Sequence, residues 1–408
     1  MSETAVARSF PSPWVKEKIF LGMEVKDYLR SLLTPFNAVA ALILAFGIPV
    51  MVLRFVKGLG AVTNLSQTNP WGLWVAFDVV CGVALAAGGY TIACTVVIFG
   101  QKKYAPILRP AILTGFLGYL FVVIGLLFDL GQPWRLPYPL TWTHGTTAVM
   151  YEVAWCVALY LTVLFYEFLP AILEWLGLTK LRALVLKASI AVIVLGVVLS
   201  TLHQSSLGAF FLMVPDKLHP LWYSPFIPIY FFISSICGGL GMVIVESGLS
   251  HRAFRDQHDP QKPVDLDGLT LGLARGAAVV LFAYFFIRLQ GLADGGTWHL
   301  LLTGWGAWWA VEMIGFVLVP SFLFAYAARN GRASIARFAG AMTVVGVILN
   351  RFNISWTALN WNAPDRYVPS AAEVLLSLTL LTIGVLVFRW IVNRMPVLRE
   401  HPAYPPAH

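Results

Sequence analysis

Ten stretches of this chain stay apolar for more than twenty residues, and that restricts the fold to helices in a membrane. They run over about 36–56, 71–100, 110–130, 147–175, 184–211, 226–249, 268–291, 298–328, 334–354 and 371–393. Each is long enough for a hydrocarbon core of about 30 Å, which takes about 20 helical residues. Inside lipid every backbone N–H and C=O must find its partner within the protein, so a spanning segment is a helix or part of a closed barrel. A barrel strand alternates apolar and polar residues, whereas Ile190 to Leu199 is apolar at every position. Charged residues make up only 12% of the chain, against about 25% in a soluble domain. The expected fold is therefore all-α, a polytopic membrane bundle of about ten transmembrane helices. Residues 1–35 are expected to form a tail or interfacial helix, 36–395 one transmembrane domain, and 396–408 a second tail.

Basic residues set the expected orientation. Lys102, Lys103 and Arg109, Lys180, Arg182 and Lys187, Arg252, Arg255 and Lys262, and Arg329, Arg332 and Arg337 crowd into alternate loops. By the positive-inside rule those loops and both termini face the cytoplasm. The loops around His144, Asp216 to Tyr223 and Trp356 to Tyr367 then face outward. The net charge of +8 follows from this topology and carries no sign of nucleic-acid binding. The first apolar run begins late and behind charged residues, unlike a cleavable signal.

The chemistry-bearing residues narrow the function. Cys81, Cys94, Cys156 and Cys237 all fall within spans and form no ligand spacing, so no iron–sulfur cluster or metal site is expected in this chain. A membrane b-haem usually takes two histidines at matched depth. Of the eight histidines, His251, His258, His401 and His408 fall in cytoplasmic segments and His144, His219 and His299 at outer ends. Only His203 is left at membrane depth, and no haem is expected. Carboxylates inside spans are rare and functional by default. Asp78, Asp129, Glu152, Glu246 and Glu312 qualify, whereas Glu167 and Glu174 stand where a basic partner would neutralise them, and Asp129 stands near Arg135. Most tryptophans sit at span ends, as an interfacial belt requires.

Several segments together are distinctive. Pro70-Trp-Gly-Leu-Trp-Val-Ala-Phe-Asp78, Gly88-Gly-Tyr90, Tyr151-Glu152, His203-Gln-Ser-Ser-Leu-Gly208, Lys217-Leu-His-Pro-Leu-Trp222 and Ile244-Val-Glu246 resemble the NrfD/PsrC-like family of integral membrane subunits, in its HybB branch. The likeness runs from about residue 55 to about 395 and leaves out the N-terminal forty residues. It implies a haem-free membrane anchor of a respiratory oxidoreductase, working in the bacterial inner membrane. Such a subunit exchanges electrons between a periplasmic iron–sulfur, ferredoxin-like partner and menaquinone or another quinone. The implied catalytic subunit is a nickel–iron hydrogenase, a molybdopterin oxidoreductase or a multihaem cytochrome.

On that reading His203 and Asp78 are the catalytic candidates, since a quinone carbonyl needs a hydrogen-bond donor and a proton source. Trp71, Trp74, Gln204 and Ser205 complete the expected quinone site. Asp129, Glu152 and Glu246 are the expected proton path. A secondary transporter and a purely structural anchor are the alternatives, although the halves show no matching Gly/Pro-broken helices of the transporter kind.

Overall fold

The computed structural model describes residues 12–258, 263–399 and 404, so expectations resting on residues 1–11, Lys262, His401 and His408 lie outside it. Ten described helices are long and apolar enough to cross a membrane, in the expected order. They are span 1 (Pro35–Lys57), span 2 (Phe77–Ile98), span 3 (Lys102–Asp129), span 4 (Val149–Leu176) and span 5 (Ser189–Met213). Span 6 (Ile227–Ala253), span 7 (Leu266–Asp294), span 8 (Gly304–Asn330), span 9 (Ala333–Thr357) and span 10 (Ala371–Arg394) complete the set. The described residues contain no strand, only an isolated bridge between Leu218 and Leu359.

The spans sort by their packing. Spans 2 to 5 pack around one another, spans 6 to 9 do the same, and span 6 joins the two groups through spans 2 and 5. Spans 1 and 10 lie along each other and close against span 3. Small residues set the closest approach. A Cβ placed on Gly239 of span 6 would stand 2.7 Å from the Gly88 backbone nitrogen of span 2. Without those glycines the two groups could not meet so closely.

The starts of spans 2 and 3 differ from expectation, each for a local reason. The helix of span 2 starts at Trp74 rather than 71. The Leu73 amide is drawn off to the Tyr367 hydroxyl at 3.0 Å and the Asn64 amide to Glu373 at 2.8 Å, which pins residues 64–73 as a loop. Span 3 begins eight residues before Pro110. Arg109, whose charge suggested a loop, makes a two-pronged bond to Glu174 of span 4 at 2.9 and 2.8 Å and so enters the helix. Residues 12–34 form two short helices, Pro13–Lys18 and Val25–Ser31, with Arg394 of span 10 bonded to Tyr28. The described segments nearest the two ends, residues 12–34 and the end of span 10, therefore lie at one face of the bundle, called below the terminus face.

Candidate functional site

Span 2 opens with a widened π-type turn, Trp74–Cys81, that carries Asp78. Such turns interrupt the regular helical bonding and often mark functional positions. Asp78 Oδ2 accepts a hydrogen bond from Ser377 of span 10 at 2.9 Å. The pair stands at one end of a cavity of about 820 Å³ walled by spans 1, 2, 3, 6 and 10. Leu249, Leu381 and Val385 line this cavity and are 61%, 52% and 39% exposed, so it opens sideways on the lipid-facing surface. The lining reaches from Ser377 to Asn393 of span 10, about 24 Å at 1.5 Å per residue.

Glu246 and Thr114 also line this cavity. Glu246 Oε1 and Thr114 Oγ1 are shut off from water and have no hydrogen-bond partner. Buried polar atoms nearly always have a partner, and here the Thr114 hydroxyl and the Glu246 carboxyl are each other's polar neighbours behind the cavity wall. Two of the expected site residues, Asp78 and Glu246, are thus brought to one cavity from different spans.

His203 is elsewhere. It is fully buried in span 5 and does not line the cavity. Its Nδ1 bonds the Leu199 carbonyl at 2.8 Å and its Nε2 meets the Tyr119 hydroxyl of span 3. A carbonyl can only accept, so Nδ1 carries the proton and Nε2 accepts from Tyr119. Gln204 donates to the Val83 carbonyl at 3.1 Å and to Tyr119 Oη at 3.3 Å. The two costly polar residues of the His203-Gln204 pair thus satisfy each other's neighbourhood through Tyr119, a residue that the sequence did not single out.

The same helix faces carry more polar groups. Ser206, rather than Ser205, makes the contact with span 4, donating to Glu152 Oε1 at 2.5 Å. Ser200 and Tyr160 are buried with unpartnered hydroxyls, and Glu167 has an unpartnered Oε2. Positions 206, 203, 200 and 196 of span 5 recur at helical spacing, and 152, 160 and 167 of span 4 lie opposite. A broken ladder of polar groups therefore extends from Glu152 to Glu167, about 22 Å by helical rise. The basic partner expected for Glu167 is absent among the described ion pairs; Glu174 takes Arg109 and Arg182 instead, each at 2.8 Å.

The remaining candidates have plain surroundings. Trp71 packs on Phe210 with ring centroids 4.5 Å apart. Trp74 is 1% exposed and gives its indole N–H to the Glu373 carbonyl at 3.3 Å. Neither lines the cavity. Asp129 sits beside Arg54, which bonds the carbonyls of Phe128 and Leu130 on either side of it. Arg135, the expected neighbour, lies instead over the Tyr138 ring. Glu312, which sequence could not place, is 1% exposed and accepts from Trp222 at 2.8 Å, Asn350 at 2.6 Å and Asn353. The Lys217-to-Trp222 motif serves this second group of spans. His219 is 3% exposed, packed against Trp222, Trp305 and Trp361, and burial lowers its pKa to about 4.

Comparison with known proteins adds to this geometry. A family model described as "Polysulphide reductase, NrfD" matches residues 61–361. The chain is 51% identical to a protein of Nitratidesulfovibrio vulgaris over 93% of its own length and 98% of that protein. It is 28% identical to the "Probable Ni/Fe-hydrogenase 2 b-type cytochrome subunit" of Escherichia coli, covering 86% of this chain and 88% of that one. It is 25% identical to the "Menaquinone reductase, integral membrane subunit" of Nitratidesulfovibrio vulgaris, covering 84% and 87%.

Proposed function

From the premise that this chain belongs to the polysulphide reductase NrfD family, we propose that it is the quinone-reactive membrane subunit of a respiratory oxidoreductase complex. The observation that carries this reading is the lateral cavity ending at Asp78 and Ser377. A membrane-dissolved quinone must enter from the side, and this cavity opens there. Its apolar wall beside Asp78 and its side opening suit a ring whose isoprenoid tail runs out between the spans into the lipid, and its few polar groups suit a ring with two carbonyls. Menaquinone is the first candidate, being the quinone named for one relative.

Bound quinone supplies two-electron, two-proton redox chemistry. The protein's part is to orient the ring and move protons. Asp78, held by Ser377, is placed to bond or protonate a ring oxygen. Glu246 with Thr114 offers a second exchange point on the same wall. The Glu152–Ser206 pair and the ladder below it form a separate proton route, with Asp129 a further member near the face opposite the termini. His203 acts through Tyr119 and Gln204, keeping the wall between ladder and cavity in place, rather than as a free donor.

The partner is proposed to be an iron–sulfur, ferredoxin-like subunit with a catalytic subunit behind it, docked opposite the terminus face. The crowding of basic residues in alternate loops supports termini in the cytoplasm, with that partner in the periplasm of a bacterial inner membrane. The two histidines nearest the proposed site are not placed as ligands for the haem that the Escherichia coli relative's "b-type cytochrome" name suggests. His203 spends both ring nitrogens within the protein, and His219 sits in a loop among tryptophans.

The test is turnover of a menaquinol analogue by the complex purified from membranes with its partners. Asp78→Asn is expected to lower it at least about tenfold while the subunits still copurify, and unchanged turnover would place the site elsewhere.

A further inference from the structure

Along span 10 the lateral cavity has two poles. One is Ser377 with Asp78; the other, at the terminus face, is Arg389 with Asn393. Leu380, Leu381, Val385 and Phe388 line the stretch between them. Arg389 is half-buried, donates to Asn37 Oδ1 at 3.1 Å and lies over the Phe36 ring at 4.4 Å. Arg394, five residues on, donates to the Ile19 carbonyl and the Tyr28 hydroxyl. Neither guanidinium pairs with a carboxylate among the described residues.

A cation beside an apolar cavity at a membrane edge has two needs at once. It requires a counter-ion, and the cavity requires a chain to fill it. An anionic phospholipid meets both. We propose that the terminus-face half of this cavity binds one, its phosphate held by Arg389 and Asn393 and an acyl chain laid toward Ser377. The distance from Arg389 to Ser377 along the helix is about 18 Å, close to one leaflet of a core about 30 Å thick. Phe36, 44% exposed, and Leu249, 61% exposed, both line the cavity, so the chain can enter sideways. The site depends on the proposed function only in leaving the Asp78 pole to the quinone ring.

Lipids and quinone extracted together from the purified complex provide the test. Anionic phospholipid is expected to be enriched over the host membrane, and Arg389→Gln to lower that enrichment about fivefold with quinone content unchanged. Arg329→Gln, an arginine at the same face but outside the cavity, should leave it unchanged. No enrichment, or equal loss in both variants, overturns the site; loss of quinone with retained lipid in Arg389→Gln gives the whole cavity to the quinone and overturns it too. If Arg389→Gln does not fold, added lipid decides on the unmodified complex. Phosphatidylglycerol should raise its melting temperature by several degrees, with phosphatidylcholine and inorganic phosphate doing little. An equal rise with inorganic phosphate, or none with phosphatidylglycerol, contradicts the assignment.

Discussion

Asp78 of span 2 and Ser377 of span 10, 299 positions apart in sequence, share a 2.9 Å hydrogen bond at the end of the lateral cavity. Ser377 is 4% exposed and donates to Oδ2, so it fixes which way the carboxyl faces. Ser377→Ala removes that constraint but leaves the acid. Turnover is expected to fall about threefold, less than 1 kcal/mol in barrier, against at least about tenfold for Asp78→Asn. Steady-state quinol kinetics on both variants check the order; a larger loss in Ser377→Ala would make the hydroxyl, not the carboxyl, the working group.

The side opening gives a prediction that leaves the polar groups untouched. Val385 stands on the cavity rim and is 39% exposed. Val385→Trp should obstruct entry and cut quinone turnover about tenfold, while electron transfer from the partner to a soluble dye is unchanged. Equal rates with quinone would mean that the substrate arrives by another path.

Glu174 is the stability hinge at the terminus face. Its side chain is fully buried between Arg109 and Arg182. Glu174→Gln removes the carboxylate that Arg109 and Arg182 share, and breaking a buried pair costs about 3–5 kcal/mol. Thermal unfolding in detergent should show a clear drop in melting temperature, with turnover per folded complex preserved.

His219 gives the pH dependence. Its ordinary pKa is 6.5 and burial lowers it to about 4. Between those values the unfolded chain binds a proton that the folded one does not, so this contribution is full above about pH 6.5 and is lost as pH falls toward 4. Melting temperatures at pH 7.5 and 5 should differ less in His219→Phe than in the unchanged chain. Identical differences would show that other groups set the acid sensitivity.

Much of this was legible in the sequence. Length and apolarity gave the ten spans, because lipid leaves a chain few options. Asp78 and Glu246 stood out because carboxylates are costly in spans. What could not be read was their common cavity, since Asp78 meets Ser377 only through the packing of span 10. Tyr119 was missed because a tyrosine in an apolar run looks like core. Ser206 was passed over for Ser205, although its place three residues after His203 puts it on the same helix face. Glu312 stayed ambiguous because its donors come from elsewhere in the chain, Trp222 from the loop before span 6 and Asn350 and Asn353 from span 9.

The most direct measurement of the central claim is photolabelling of the purified complex with an azido-menaquinone, followed by peptide mapping. Quinone in the lateral cavity should label residues of the Phe77–Ala86 and Ser377–Val385 segments, and excess unlabelled menaquinone should abolish the label. Competed label confined to the Trp71–Phe210 neighbourhood or the His203 helix face, with none in those two segments, would contradict it.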